Sequence, residues 1–388
     1  MSKTRISKPF VKFAPKGNPS FYDSVKAEVA AYFENNRISE LGNRKMYIKT
    51  AAMLSFYFIP IIVISTGLAS FSLAFFYAMW LLMGVGIVGI GVGVMHDSNH
   101  GAYSNNKNLN NFLGNILNVI GGYAVNWRIQ HNILHHTYTN LAGLDEDIEA
   151  GGLLRMSPHK EYSSFHKYQH LYALPLYSIM NLYWITAKDY LMLFRYDKHD
   201  LLRKEKTTLA KTLTELTLLK VFYVGYVLVI PMLFSGFAWY HVLIGFVAMH
   251  IIAGLALALI FQPAHVMETS EFPAMVPGQK MDNSWAVHQV LNTANFSPNS
   301  KVTSWFLGGL NFQIEHHLFP QICHVHYPKL SKIVAKVAHE YNLPYQVQPT
   351  FLRAIIEHLK MLQKLGNKDF VPKPVVVPSG YLQPELSH

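Results

Sequence analysis

The sequence predicts an all-α integral membrane protein: four transmembrane helices in two hairpins, with a cytoplasmic helical cap carrying a histidine-rich metal site. Three observations lead there. Of 388 residues, 51% are apolar and only 14% charged, which argues against an ordinary soluble enzyme. Two stretches hold no Asp, Glu, Lys or Arg: the 46 residues from Ala51 to His96 and the 47 from Val221 to Met267. Histidine occurs 20 times, several times in pairs four residues apart. The formal charge of +10 would suit nucleic acid or an anionic lipid surface, and the apolar stretches favour lipid, with no nucleic-acid partner. One cysteine, Cys323, excludes an internal disulfide and a thiolate zinc site.

Residues 1–49 read as a cytoplasmic N-terminal segment. Its start, MSKTRISKPFVKFAPKG, is basic but lacks an apolar core of signal-peptide length, so no cleavage is expected. Phe21, Val25, Val29 and Phe33 recur every four residues, giving an amphipathic helix that rests either on the protein core or on the lipid interface. A membrane domain is expected over 50–350. A crossing needs about 20 apolar residues, so each charge-free stretch holds two, at 50–70 and 73–95, then at 218–236 and 239–263. The returns, at Ser70 to Ser72 and at Ser235-Gly236, carry no positive charge, and every Lys and Arg lies in one of three blocks: the N-terminal 50 residues, the middle from 98 to 220, and the tail after 268. An even number of crossings puts those blocks on one side, which their charge makes the cytoplasm. Leu109 to Val125 is apolar but too short and Asn-rich to cross, and reads as interfacial or re-entrant. KLSKIVAKVAHEY and FLRAIIEHLKMLQKL have helical periodicity. Residues 351–388 form a cytoplasmic C-terminal helix and an extended tail with Pro372, Pro374, Pro378 and Pro384.

His96 and His100 in HDSNHGAY are four apart, as are His131 and His135 in HNILHH, where His136 follows; Gln313, His316 and His317 in QIEHH fall at i, i+3 and i+4. On an α-helix each group points one way. Neutral imidazole is the commonest metal ligand, and many imidazoles without thiolates suit iron, copper or zinc. The topology supplies an independent argument. The second crossing ends at His96, the fourth just before His265 in FQPAHVME, and the other groups lie in cytoplasmic blocks. Eight imidazoles exceed what one metal takes, so two metals are expected. Singly, each histidine reads as an ordinary surface or interface residue; the joint pattern argues for ligation. His250, 15 residues before His265 on one helix, would sit about 22 Å away. His241 falls near the opposite face. His159, His166, His170, His199, His339, His358 and His388 lack paired spacing and are expected to be solvated. His288, His324 and His326 fit either a supporting layer or the surface.

HDSNH, HNILHH and QIEHH, in this order around two hydrophobic hairpins, resemble the histidine boxes of the membrane fatty-acid desaturases. Glutamine opening the third box, with WRIQHNILHHTYTN, FQPAHV, WAVHQVLNTANF and NFQIEHHLFPQICHVHYPKL, is similar to the front-end acyl desaturases, including linoleoyl-CoA desaturase-like bacterial enzymes; the likeness covers roughly residues 40–350. The resemblance implies an O2-dependent fatty acyl desaturase that introduces a cis double bond between an existing one and the carboxyl end. It implies a di-iron centre ligated by His96, His100, His131, His135, His136, His265, His316 and His317. Gln313 stands where relatives outside the front-end group have histidine, and either binds iron through oxygen or orients a water. The chemistry agrees, since no side chain oxidises an unactivated methylene pair. Many eukaryotic front-end enzymes carry a fused cytochrome b5 domain with a His-Pro-Gly-Gly motif, which is missing here, so a separate electron donor of ferredoxin or cytochrome b5 type is implied. The acyl chain would arrive on CoA, acyl carrier protein or lipid, in a bacterial inner membrane.

Several residues keep two readings. Gly84, Gly86, Gly89, Gly91 and Gly93 allow close helix packing or leave room for an alkyl chain. Trp127 and Trp305 line a channel or anchor at the interface. Arg128, Arg155, Lys160 and Lys167 bind a phosphorylated headgroup or carrier, or simply follow the positive-inside rule. Asp145, Glu146 and Asp147 support ligating imidazoles or cap a loop. Rival functions are a membrane di-iron hydroxylase or ketolase acting on fatty acids, alkanes or carotenoids, against which QIEHH argues, and a non-enzymatic metal-handling membrane protein, whose ligands belong near mid-bilayer. A zinc hydrolase fits poorly without H-E-x-x-H.

Overall fold

The computed structural model describes residues 11–17, 20–274 and 280–372. His388 and the tail prolines Pro374, Pro378 and Pro384 lie outside them. The described chain is mostly helical; its named strands, Asn295–Phe296 and Val347–Gln348, form one short parallel pair.

Among the described residues four helices are long and apolar enough to cross a membrane: Arg44–Ser65, Leu73–Asn99, Leu209–Phe234 and Trp239–His265. The first runs from Arg44 to Ser65 where the apolar pattern suggests 50–70. Asn43 caps its start by accepting from the Lys45 N–H at 3.0 Å, and Gly67, at φ +74°, turns the chain just after its end. The third begins at Leu209, well before 218, because the Thr208 hydroxyl caps it. A helix starts at its cap, not where its charges run out. Leu109 to Val125 is broken into short helices, Lys107–Gly114, Ile116–Val119 and Ala124–Trp127, none of them of membrane-crossing length.

The chain forms two compact units. Residues 43–129 and 173–259 make up the first, with most of the membrane-length helices. Here Arg44–Ser65 packs along the Leu73 helix, and glycine sets the approach. A Cβ on Gly86 would come 2.8 Å from the Tyr57 backbone nitrogen, one on Gly84 2.9 Å from the Met249 carbonyl oxygen, and one on Gly89 would overlap the Met53 side chain. Close packing is therefore what these three glycines provide. Gly91, by contrast, has an ordinary 3.6 Å clearance from Leu257. His250 is buried, its Nδ1 2.8 Å from the Asn181 amide and its Nε2 2.9 Å from the Tyr223 hydroxyl, so it joins helices together.

The second unit comprises the described residues of 7–42, 130–172 and 260–388. Helix Phe21–Asn36 lays Phe21, Val25, Val29 and Phe33 into a core shared with Trp285–Asn292 and Tyr327–Glu340. Of the two surfaces open to that apolar face, protein is the one it meets. Burial of each such side chain contributes about 1.5–3 kcal/mol. Two histidines expected in solvent are instead buried. His166 donates to the Gly152 carbonyl at 2.8 Å and accepts from the Ser163 N–H at 2.9 Å. His358, on helix Phe351–Leu365, donates through Nδ1 to the Val266 carbonyl at 2.9 Å. Arg155 is buried too, its guanidinium donating to the carbonyls of Pro158, Lys160, Leu365 and Asn367. It ties loops together and is fully engaged by the fold.

Candidate metal centre

The third histidine group rides on Gln313–Leu318, a six-residue helix buried along its whole length. Asn295 fixes it from below: its Oδ1 accepts from the Ile314 N–H at 3.0 Å and its amide donates to Glu315 at 2.8 Å. The Tyr345 hydroxyl donates to the other Glu315 oxygen at 2.7 Å. Burial pushes the Glu315 carboxyl up to about 7 against these hydrogen bonds. The second group lies on Arg128–His135, which winds as a π-helix. Its i→i+5 ladder brings His131 beside His136, Nε2 to Nε2 at 3.2 Å, in addition to the i+4 neighbour His135, whose ring stacks on that of His131. The α-helical spacing argument for HNILHH is thereby corrected: all three histidines share a face because the turn is wider.

Six of the eight candidate histidines gather in the second unit. His135, His265 and His317 have ring centroids 4.7–5.0 Å apart, and one nitrogen of each lies within 4.8 Å of the others. His136 meets both His316 and His317 at 4.6 Å, and His131 stacks on His316 at 5.6 Å. In the first unit His96 and His100 lie 4.8 Å apart, both edge-on to Trp127. That indole is buried against their rings, so it is not an interfacial anchor. A π-helical turn, Ile90–Met95, precedes His96.

The trio's outer nitrogens are each met by an oxygen. His135 Nδ1 lies 3.0 and 3.2 Å from the two Asp145 oxygens, His317 Nδ1 2.8 Å from Gln289 Oε1, and His265 Nδ1 3.4 Å from the Asn292 carbonyl. Such acceptors hold the proton on Nδ1 and leave Nε2 as the ligating atom. The Nε2 atoms of His265 and His317 are buried with no hydrogen-bond partner among the described residues. A buried unsatisfied polar group costs about 1–3 kcal/mol, and a cation held by converging imidazoles removes that cost. The residues present therefore fit a nitrogen-ligated metal. Gln313 is buried beside His265, its Nε2 likewise without a partner among the described residues.

Burial, reinforced by the surrounding imidazoles, holds His317 well below the ordinary histidine range and keeps it neutral. At His135 burial opposes the charge, but Asp145 and Asp147 outweigh it and push the imidazole up to about 9. Asp145 also accepts from the backbone N–H groups of Asn140 and Asp147 at 2.8 and 3.0 Å. Asp145 thus both holds the His135 ring and caps the loop that follows it.

One stretch escaped the spacing analysis. Helix Trp285–Asn292 backs the site: Trp285 Nε1 donates to the His136 carbonyl at 3.0 Å, His288 Nε2 to the Thr139 carbonyl at 2.9 Å, and Asn292 supplies the carbonyl facing His265. Burial holds His288 down to about 4, as a neutral donor. The signal was present: Trp285, His288, Gln289 and Asn292 fall at i, i+3, i+4 and i+7, a polar stripe at helical spacing. His326 is also buried, donating to the Leu41 carbonyl. Arg128 pairs with Glu205 at 2.7 Å, and Lys160 with Glu149.

The family model for fatty acid desaturases matches residues 70–349. The chain belongs to the fatty acid desaturase family. It is 35% identical to the sn-1 linoleoyl-lipid 6-desaturase of Synechocystis over 92% of this chain and 98% of that one. The enzyme of the same name from Arthrospira platensis is also 35% identical, over 89% of this chain and 92% of its own length. The acyl-lipid (8-3)-desaturase of Physcomitrium patens is 33% identical over 94% and 76%. This desaturase-family chain is thus a membrane oxidoreductase of fatty acyl chains, and its buried imidazoles are a candidate metal centre.

Proposed function

We propose that this desaturase acts on lipid-linked acyl chains and introduces a cis double bond between an existing double bond and the carboxyl end. The observation that carries the reading is the trio His135, His265 and His317, in which the Nε2 atoms of two buried imidazoles, without a hydrogen-bond partner among the described residues, converge with a third, in a chain whose relatives are named sn-1 linoleoyl-lipid 6-desaturase and acyl-lipid (8-3)-desaturase. His96, His100, His131, His135, His136, His265, His316 and His317 would hold two irons, with Gln313 as a ninth ligand or as the anchor of a water. Bound there, the irons supply the O2-derived oxidising power that no side chain has.

The chain's own residues do the rest. Asp145, Gln289 and the Asn292 carbonyl hold protons on Nδ1 atoms and present Nε2 inward. Glu315, Asn295 and Tyr345 hold the third histidine group in place. The apolar helices deliver the acyl chain, and precise placement of one C–C pair selects the bond. Electrons come from a separate carrier of ferredoxin or cytochrome b5 type.

The topology belongs to the same proposal. The four apolar helices form two hairpins in a bacterial inner membrane, the membrane domain spans 50–350, and the segments 1–49 and 351–388 lie with the helical cap and the site on the cytoplasmic side. The test is expression in a host fed defined fatty acids, with mass spectrometry of the lipids. A product lighter by two hydrogens, with its new double bond on the carboxyl side of an existing one, is expected. Gain of one oxygen identifies a hydroxylase and overturns the proposal.

A further inference from the structure

We propose that Gln289 is a positioning residue that sets the tautomer of His317 and locks the second histidine group to the third; this rests on the metal-binding reading above. Gln289 is fully buried on the helix behind the site. Its Nε2 donates to the His136 carbonyl at 3.2 Å, while its Oε1 lies 2.8 Å from His317 Nδ1 and 2.7 Å from the Thr139 hydroxyl. The hydroxyl also lies 2.7 Å from the His135 carbonyl.

The Thr139 hydroxyl donating to Oε1 and the His136 carbonyl accepting from Nε2 together set the direction of the amide. Turned over, it would set an acceptor oxygen against the His136 carbonyl, two lone pairs face to face, and would lose that hydrogen bond. The carbonyl of His136, which is not itself a metal ligand, therefore dictates that Oε1 faces His317. An acceptor at 2.8 Å from Nδ1 requires the proton there, which leaves the Nε2 lone pair available to a cation. Turning the Gln289 amide would force the opposite tautomer, with a proton on Nε2 and no ligand. One side chain thus reads the backbone of the second group and fixes the protonation of the third, across sequence separations of 153 and 28 residues.

The test uses the full chain, purified in detergent and titrated anaerobically with ferrous iron, with wild type, Gln289→Leu and Gln289→Glu in parallel. Gln289→Leu removes the acceptor and should weaken iron binding about 10- to 100-fold, the usual effect of losing a group that orients a ligand. Gln289→Glu keeps an acceptor for Nδ1 and adds charge, so iron should bind within about tenfold of wild type while its Mössbauer quadrupole splitting shifts. A merely structural residue would move thermal stability and leave that splitting alone. Wild-type affinity in Gln289→Leu, or an unshifted spectrum in Gln289→Glu, overturns this proposal while the metal reading stands. Wild-type protein that takes up no iron overturns both.

Discussion

His135 sits between two opposing influences, burial that disfavours its charge and carboxylates that favour it, and the carboxylates win. Because its metal-free imidazole titrates near 9, above the ordinary value of 6.5, a metal must displace a proton from it at neutral pH. Apparent iron affinity should therefore climb as pH rises toward about 9, and loading in weakly buffered solution near pH 7 should release acid. Absence of proton release would show that His135 stays outside the ligand set. Asp145→Asn removes the charge that holds this ring and should lower iron affinity or turnover about 10- to 100-fold, read by iron content per chain. His316→Ala should abolish unsaturated product while the protein remains in the membrane; full activity would strike it from the ligands.

Helices place these residues through their ends, contacts and winding. Gly86 meets the Tyr57 backbone and Gly91 meets nothing closer than Leu257, so the two should respond differently to added volume. Gly86→Val should cost about 1–3 kcal/mol in thermal melts of the detergent-solubilised protein, while Gly91→Ala should leave the melt unchanged. Helix Phe351–Leu365 is docked partly by His358, which burial holds down to about 4. Between about pH 6.5 and 4 the unfolded chain binds a proton that the folded chain refuses. Its contribution is complete above pH 6.5 and is lost as pH falls through that window, up to about 3 kcal/mol at 1.36 kcal/mol per unit. His358→Gln should flatten the dependence of melting temperature on pH there, and an unchanged slope would place the effect elsewhere.

For the molecule as a whole, the proposed topology sets Phe71 and Ala238, both exposed in the short returns, on the face opposite Lys336. The native Cys323 is buried, so introduced thiols report cleanly. Phe71→Cys and Ala238→Cys should react with a membrane-impermeant maleimide added to intact cells stripped of their outer membrane, and Lys336→Cys only after the inner membrane is opened. The reverse pattern would invert the orientation. These experiments separate membrane placement from chemistry, which the identity of the lipid product decides.

The sequence by itself determined the number of long apolar helices, the histidine pairs and the family likeness, because bilayer thickness and helical spacing are one-dimensional quantities that local composition records. Helix ends were less legible where caps at Asn43 and Thr208 lie outside the apolar stretches. Only the tertiary structure decided that Arg128–His135 winds as a π-helix, that Arg155 and His358 are interior, and which groups hold each imidazole. Gln289 reaches His136 across 153 residues and Asn140 reaches the His265 carbonyl across 125. Such partners are chosen by three-dimensional proximity, which no local period encodes, and it is they that decide which nitrogen of each ring faces inward.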